Sequence, residues 1–324
     1  MRSTIVLIFG LVILGALVPS FAQNKELKEI TFLPGWVPQS QFAGYYMAKH
    51  SGIYEKYGLD VTIIEGGVSR DVISSLKNRE VDFGTAFLST GVLERAKGTP
   101  LVNIGQMFQQ SAIVFVAKSK SGITSVGDFN GKRIGVWRTV LNELTSGFLA
   151  KHHIHAEIVQ INSGIDAFLK DAVDIMVMMT YNEYKRMINA GIDPDEVTVF
   201  RLADYGMNFP EDGIYCMEST LKDDPASCKK FVEASIKGWK YALANTEETV
   251  NVLHAHAALA KVSANRSQSL WMLNAMKEML RPPNKNVEEG VLLESDYDSL
   301  AIFLSSNRFL NVKPQFHDFY TDIR

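Results

Sequence analysis

The chain has 324 residues, 46% of them hydrophobic and 21% charged, with a formal net charge of −3. That is more chain than one core comfortably fills, so two lobes of ordinary domain size are expected. The near-neutral balance and the lack of a basic run exclude nucleic acid as a partner.

The N-terminus carries an export pattern. Arg2 precedes an apolar run from Ile5 to Val18, Pro19 breaks it, and Ser20-Phe21-Ala22 sets small residues before Gln23. The run is shorter than the ~20 residues a spanning helix needs, so residues 1–22 read as a cleaved signal peptide. No cysteine follows the cleavage point, which argues against a lipid anchor and for a soluble periplasmic protein. The two cysteines, Cys216 and Cys228, show no metal-type spacing; they read as independent buried thiols, although an oxidising compartment would let them pair.

From there short apolar strands alternate with amphipathic helices. Strands are expected at 29–33, 61–64, 81–86 and 101–107. The helices between them run over 39–50, from a Ser69 cap to 77, and over 89–97. A second run of the same kind has strands at 113–117, 133–137, 157–160, 174–178 and 197–200. Its helices lie near 141–152, 165–170 and 182–189. Beyond Tyr215 the pattern is helical, at 226–244, 247–257 and 267–280. This rhythm predicts mostly parallel sheets with helices on both faces. A strandless tail has to pack back on the first lobe, so the chain crosses between lobes twice, near 112–118 and 205–216. The expected division is residues 28–113 with 216–324 as lobe 1 and 114–215 as lobe 2, with a hinged cleft between them.

In parallel α/β sheets, ligands sit beyond the carboxyl ends of the strands. That edge selects Trp36, Phe42, Gly44 and Tyr45 after the first strand, and Phe87, Leu88, Ser89 and Thr90 after the third. In the second lobe it selects Trp137-Arg138-Thr139 and Thr180-Tyr181-Asn182-Glu183. Each residue alone has a structural reading. Trp36 or Tyr45 suits a core, Ser89 or Thr90 a helix cap, and Glu183 the positive end of a helix dipole. Together, aromatics, hydroxyls and one carboxylate at one edge describe a small-molecule pocket. Trp36, Phe42 and Tyr45 are expected to line the cleft, with Gly44 leaving room for the ligand. Tyr46, Met47, Ile53, Tyr54 and Tyr57 should pack onto the sheet. No phosphate loop and no G-x-S-x-G elbow is present, and the histidines at 152, 153, 155, 254 and 256 lack the i, i+4 pairing of a helical metal site.

Trp36-x-Pro38, Ala48, Gly52-x-Tyr54, Gly58-Leu59-Asp60-Val61, Val81-Asp82-x-Gly84 and Gly131-Lys132-x-Ile134-Gly135 resemble one family. It joins periplasmic receptors for thiamine-pyrimidine precursors, sulfonates, taurine and nitrate to the fungal-type thiamine pyrimidine synthases. The resemblance spans about 28–245. It implies a type II periplasmic-binding-protein fold: α/β, two doubly wound lobes with a hinge, and here a helical C-terminal tail. It also implies a monomer that hands its solute to an ABC permease. The synthases hold pyridoxal phosphate on a lysine two positions after Val-Asp-x-Gly and consume a histidine four positions later. Ala86 and Thr90 stand there, and neither side chain can do that chemistry, so a binding protein without cofactor is expected. Within the receptors, the resemblance implies a heterocycle stacked on aromatics with Glu183 accepting from its N–H groups. A sulfonate or nitrate would use helix N-termini and Arg138 instead, and a sensor module is a further alternative. The expected binding set is Trp36, Phe42, Tyr45, Ser89, Thr90, Trp137, Tyr181 and Glu183.

Overall fold

A computed structural model describes residues 26–137, 141–162 and 164–324. The export pattern, Arg138 and Thr139 lie outside the described residues. Ten strands, β1 (Lys28–Leu33), β2 (Leu59–Ile63), β3 (Phe83–Phe87), β4 (Leu101–Gln106), β5 (Ile113–Lys118), β6 (Arg133–Trp137), β7 (Glu157–Ile161), β8 (Ile175–Met179), β9 (Val197–Arg201) and β10 (Asp212–Met217), form two five-stranded sheets. The first has the order β2-β1-β3-β10-β4 and the second β7-β6-β8-β5-β9. Both are mixed, not mostly parallel. In each sheet the antiparallel strand is the one that has just crossed over: β10 runs against β3 and β4, and β5 against β8 and β9. β10 was absent from the expected elements. Its pairing puts 212–215 in lobe 1, so the second crossing ends before Asp212 and not at 215.

The helices of lobe 1 are α1 (Ala43–His50), α2 (Ile53–Lys56), α3 (Val72–Lys77) and α4 (Leu88–Ala96), and those of lobe 2 are α5 (Leu141–Lys151), α6 (Asp166–Leu169) and α7 (Glu183–Asn189). Asp71, not Ser69, caps α3, its Oδ1 accepting from the Ser74 amide at 2.7 Å. The tail comprises α8 (Glu218–Asp223), α9 (Pro225–Ala244), α10 (Thr246–Leu259), α11 (Arg266–Leu280), α12 (Glu294–Ser306) and α13 (Phe316–Phe319), the last two beyond the expected helices.

β5 and β8 are buried on both faces, which is why Ile113–Ala117 and Ile175–Met179 read as unbroken apolar runs. Phe115, Phe148, Phe129 and Phe200 fill one face of the second sheet, with Phe115 and Phe148 ring centroids 4.7 Å apart. Val114, Val116, Met176 and Met178 fill the other. In lobe 1 the tail is part of the core. Phe231 of α9 stacks on Phe83 at 4.4 Å and on Tyr54 at 5.3 Å.

α9 also crosses α1 at backbone contact. A Cβ on Gly44 would sit 2.3 Å from the Trp239 ring, and one on Gly238 would sit 2.2 Å from the Gly44 carbonyl oxygen. Gly44 therefore makes room for Trp239, not for a ligand. Tyr46, Met47 and Tyr54 are buried and Ile53 and Tyr57 pack against the same core, as expected. Cys216 and Cys228 are buried free thiols.

Because the neighbour at Gly238 is backbone, it cannot swing aside, and overpacking of this kind costs about 1–3 kcal/mol or more. Gly238→Ala is expected to lower the thermal midpoint by several degrees. Gly127→Ala, whose Cβ would meet nothing closer than Ser125 Oγ at 3.6 Å, should leave it within about a degree. Equal midpoints for the two variants in a calorimetric scan would remove the glycine crossing from the account.

Candidate functional site

The site is built where the two crossings run side by side. The outgoing segment, 107–112, and the returning segment, 207–211, are fastened by one carboxylate. Glu211 accepts through Oε1 from the Ala112 amide at 2.6 Å and from Ser111 Oγ at 3.3 Å. Its own backbone joins in: the Glu211 amide donates to Phe108 O at 3.2 Å, and its carbonyl accepts from the Leu88 amide at 2.9 Å. Gln106 Nε2 donates to the same carbonyl at 3.0 Å. The second carboxylate oxygen, Oε2, is buried without a hydrogen-bond partner. Glu211 is 2% exposed.

Glu211 lines a cavity of about 10 Å³ together with Phe87 and Ser89 of lobe 1, Leu144 and Leu202 of lobe 2, and Phe209 of the crossing. The lining comes from both lobes, and the space admits at most one water. In this closed arrangement the cavity is too small for an organic solute. Burial drives the Glu211 carboxyl well above the usual carboxylate range, with the neighbouring Asp212 adding to the rise. Burial also pushes Asp212 up to about 6, against the opposing hydrogen bond from Gln41 Nε2 at 2.7 Å. Gln41 in turn accepts from Gln39 Nε2 at 2.7 Å. Among the described residues no cation is paired with either acid. Two acids in a dry site without a cation favour a proton, or a ligand that donates N–H groups.

The expected site residues divide. Ser89 lies in the cavity wall. Tyr181 is buried, and burial first, then the charges of Glu211, Asp212 and Glu183, hold its hydroxyl well above the phenol range. Trp137 ends β6 half-buried, its indole Nε1 buried without a partner. Trp36 is half-buried against the lobe 1 core, and Thr90 is half-buried in the first turn of α4. Phe42 and Tyr45 belong to the core. Tyr45 is 2% exposed, with its ring 4.6 Å from Phe32 and 6.1 Å from Trp239. Glu183 is buried, but both its oxygens are in use: Oε2 accepts from the Met179 amide at 3.0 Å and Oε1 from Asn182 Nδ2 at 2.8 Å. It closes its own turn, with each oxygen already accepting from a neighbour in that turn. Sequence reasoning missed Glu211, Asp212 and Gln41. The one signal was an acidic pair, Glu211-Asp212, inside the segment already expected to cross between lobes. Among the described residues no group of His, Cys, Asp or Glu could hold a metal, and no helix is long and apolar enough to cross a membrane.

The rise of Asp212 from 3.8 to about 6 means the folded state holds its proton more tightly than the unfolded chain. Its contribution to stability is therefore intact below pH ~4 and is lost as pH climbs to ~6, a change of about 3 kcal/mol. Asp212→Asn keeps the Gln41 partner and removes the ionisation. Urea denaturation should show the variant gaining stability over the parent at pH 7 and little at pH 4. The same gain at both values would contradict the assignment.

The riboflavin-binding protein RibY of Chloroflexus aurantiacus is 27% identical over 72% of this chain and 68% of its own. A formylaminopyrimidine-binding protein of Halalkalibacterium halodurans is 21% identical over 81% of each. The 4-amino-5-hydroxymethyl-2-methylpyrimidine phosphate synthases of Saccharomyces cerevisiae are also similar. The alkanesulfonate-binding protein SsuA of Xanthomonas axonopodis pv. citri, solved bound to MOPS, superposes with a TM-score of 0.68 at 14% identity, over 92% of this chain and 99% of that one. The fold is thus the two-lobed one of the solute receptors of ABC import systems. The family model described as NMT1/THI5 like matches residues 39–249, more than half of the chain, and the protein belongs to that NMT1/THI5-like family.

Proposed function

We propose that the protein is an extracytoplasmic solute receptor of an ABC importer, and that its cleft takes a small flat heterocycle presenting N–H donors, such as a thiamine pyrimidine precursor. The observation that carries this is the unpartnered Oε2 of Glu211 in the wall of the inter-lobe cavity. In its ionised form Glu211 only accepts, so N–H groups from an aminopyrimidine edge would stabilise the carboxylate that burial otherwise disfavours. The aromatic and apolar wall, with Phe87, Phe209 and Leu144, suits a planar ring. RibY and the H. halodurans receptor are named for nitrogen-rich flat heterocycles, which supports the same class. A sulfonate or nitrate would meet Glu211 in the cavity wall with no cation beside it, and the ionised form of that acid would repel it.

Binding favours closure only as far as the solute is held better by the closed state than by the open one. Glu211 is suited to that, because it sits on the crossing and the cavity wall completes it from both lobes. The export pattern before Gln23 and the receptor fold together support a periplasmic location and a permease partner. Ala86 and Thr90, at the positions where a synthase needs lysine and histidine, support binding without chemistry.

The test is a thermal-shift screen with aminopyrimidine precursors, riboflavin, taurine, nitrate and pyridoxal phosphate. A solute at 100 times its Kd adds about 2.7 kcal/mol. The expected result is a rise with an aminopyrimidine or flavin that Glu211→Gln abolishes. A rise with taurine or nitrate that Glu211→Gln preserves would overturn the solute class, and turnover of a histidine with pyridoxal phosphate would overturn the receptor.

A further inference from the structure

The tail does more than complete lobe 1. α11 is fixed to lobe 1 by Ser40 Oγ, which donates to Ser269 O at 2.8 Å, and by the Gln41 amide, 3.2 Å from Met272 Sδ. From this anchorage it reaches lobe 2 with two side chains one turn apart. Trp271 Nε1 donates to Thr180 O at 3.1 Å. Gln268 Nε2 donates to Asn182 O at 3.0 Å and approaches Asn182 Oδ1 at 3.3 Å. Asn189 Nδ2 returns to Gln268 Oε1 at 3.4 Å, and Lys185 Nζ stands 5.0 Å over the Trp271 ring.

These bonds bracket Tyr181, which is buried at the turn after β8. They also give Glu183 a purpose. Gln268 meets Asn182 Oδ1, Asn182 Nδ2 donates to Glu183 Oε1, and Glu183 Oε2 takes the Met179 amide. Glu183 thus sets the orientation in which Asn182 receives Gln268. Trp271 is 40% exposed yet spends its N–H on a backbone carbonyl of the opposite lobe. A rim contact of that kind can be made and broken without disturbing either core.

We propose that α11 is an inter-lobe latch. Gln268 and Trp271 hold the Thr180–Asn182 turn of lobe 2 against lobe 1, with Glu183 as a positioning residue, and this sets how far the cleft rests closed before any solute is bound. The Trp271 bond alone biases the closed state roughly fivefold, and losing the Gln268 bonds as well shifts the closed-to-open ratio roughly 25-fold or more.

The test reads the distance between nitroxide labels on the full-length folded protein, at Arg70→Cys beyond β2 and Asp166→Cys beyond β7, both exposed positions; Cys216 and Cys228 are buried. The labelled parent should show mainly a short distance. Gln268→Ala with Trp271→Phe should move most of the population to a longer, broader one, and Glu183→Ala should move it the same way. Trp271→Phe alone, a change at a part-exposed rim with the ring kept, should fold normally and give a shift of roughly fivefold. A parent that is already open, or a Trp271→Phe and double variant with the parent's distribution, would overturn the latch. No solute enters this measurement, so a failed aminopyrimidine screen leaves its result standing.

Discussion

The carboxyl group of Glu211 is what the two-lobed arrangement turns on. One oxygen ties the outgoing crossing to the returning one through Ala112 and Ser111, and its backbone holds Phe108, Leu88 and Gln106 in place. The other oxygen is left without a partner in the cavity. On the proposed reading, tethering and recognition would share one side chain, at a place where taking an acid out of water is costly, and a ligand that donates to Oε2 would relieve that cost. Asp212, one residue on, is already satisfied by Gln41.

The rest of lobe 1 is arranged to hold this point still. α9 lies against α1 across Gly44 and Gly238, close enough that Trp239 covers the glycine and reaches Phe108 with ring centroids 5.8 Å apart. Phe108 belongs to the outgoing crossing. The C-terminal tail thus supports the segment that Glu211 fastens. α12 adds to this from the far side, where Phe303 meets Phe209 at 5.3 Å and fills the space over Gly147 of α5.

The alternation of strand and helix was legible because buried strands and amphipathic helices leave different periods, and β6 was placed to the residue. β10 was not, since its sequence, Asp212-Gly213-Ile214-Tyr215-Cys216-Met217, follows an irregular crossing and opens on an acid and a glycine. Parallel or antiparallel direction is likewise invisible in one strand's residues. The candidate site was partly legible. The strand-end rule selected Ser89, which lines the cavity, but it also admitted Phe42 and Tyr45, because an aromatic on a short helix gives no sign of which way its ring faces. Glu183 drew notice by following a strand, whereas Glu211 precedes one. Only the folded chain shows that the first has both oxygens occupied and the second does not.

The shared strand order carries a consequence for how the chain comes together in time. Lobe 2 is one unbroken stretch inserted between β4 and β10, whereas β10 sits between β3 and β4 in the first sheet. A chain emerging from its N-terminus can finish lobe 2 soon after β9, while β4 still waits for its partner strand β10 and α1 for α9. The lobe that begins first is completed last, through pairings distant in sequence and therefore slow to find. Until then an apolar strand edge stands open, which is the kind of surface that invites wrong partners.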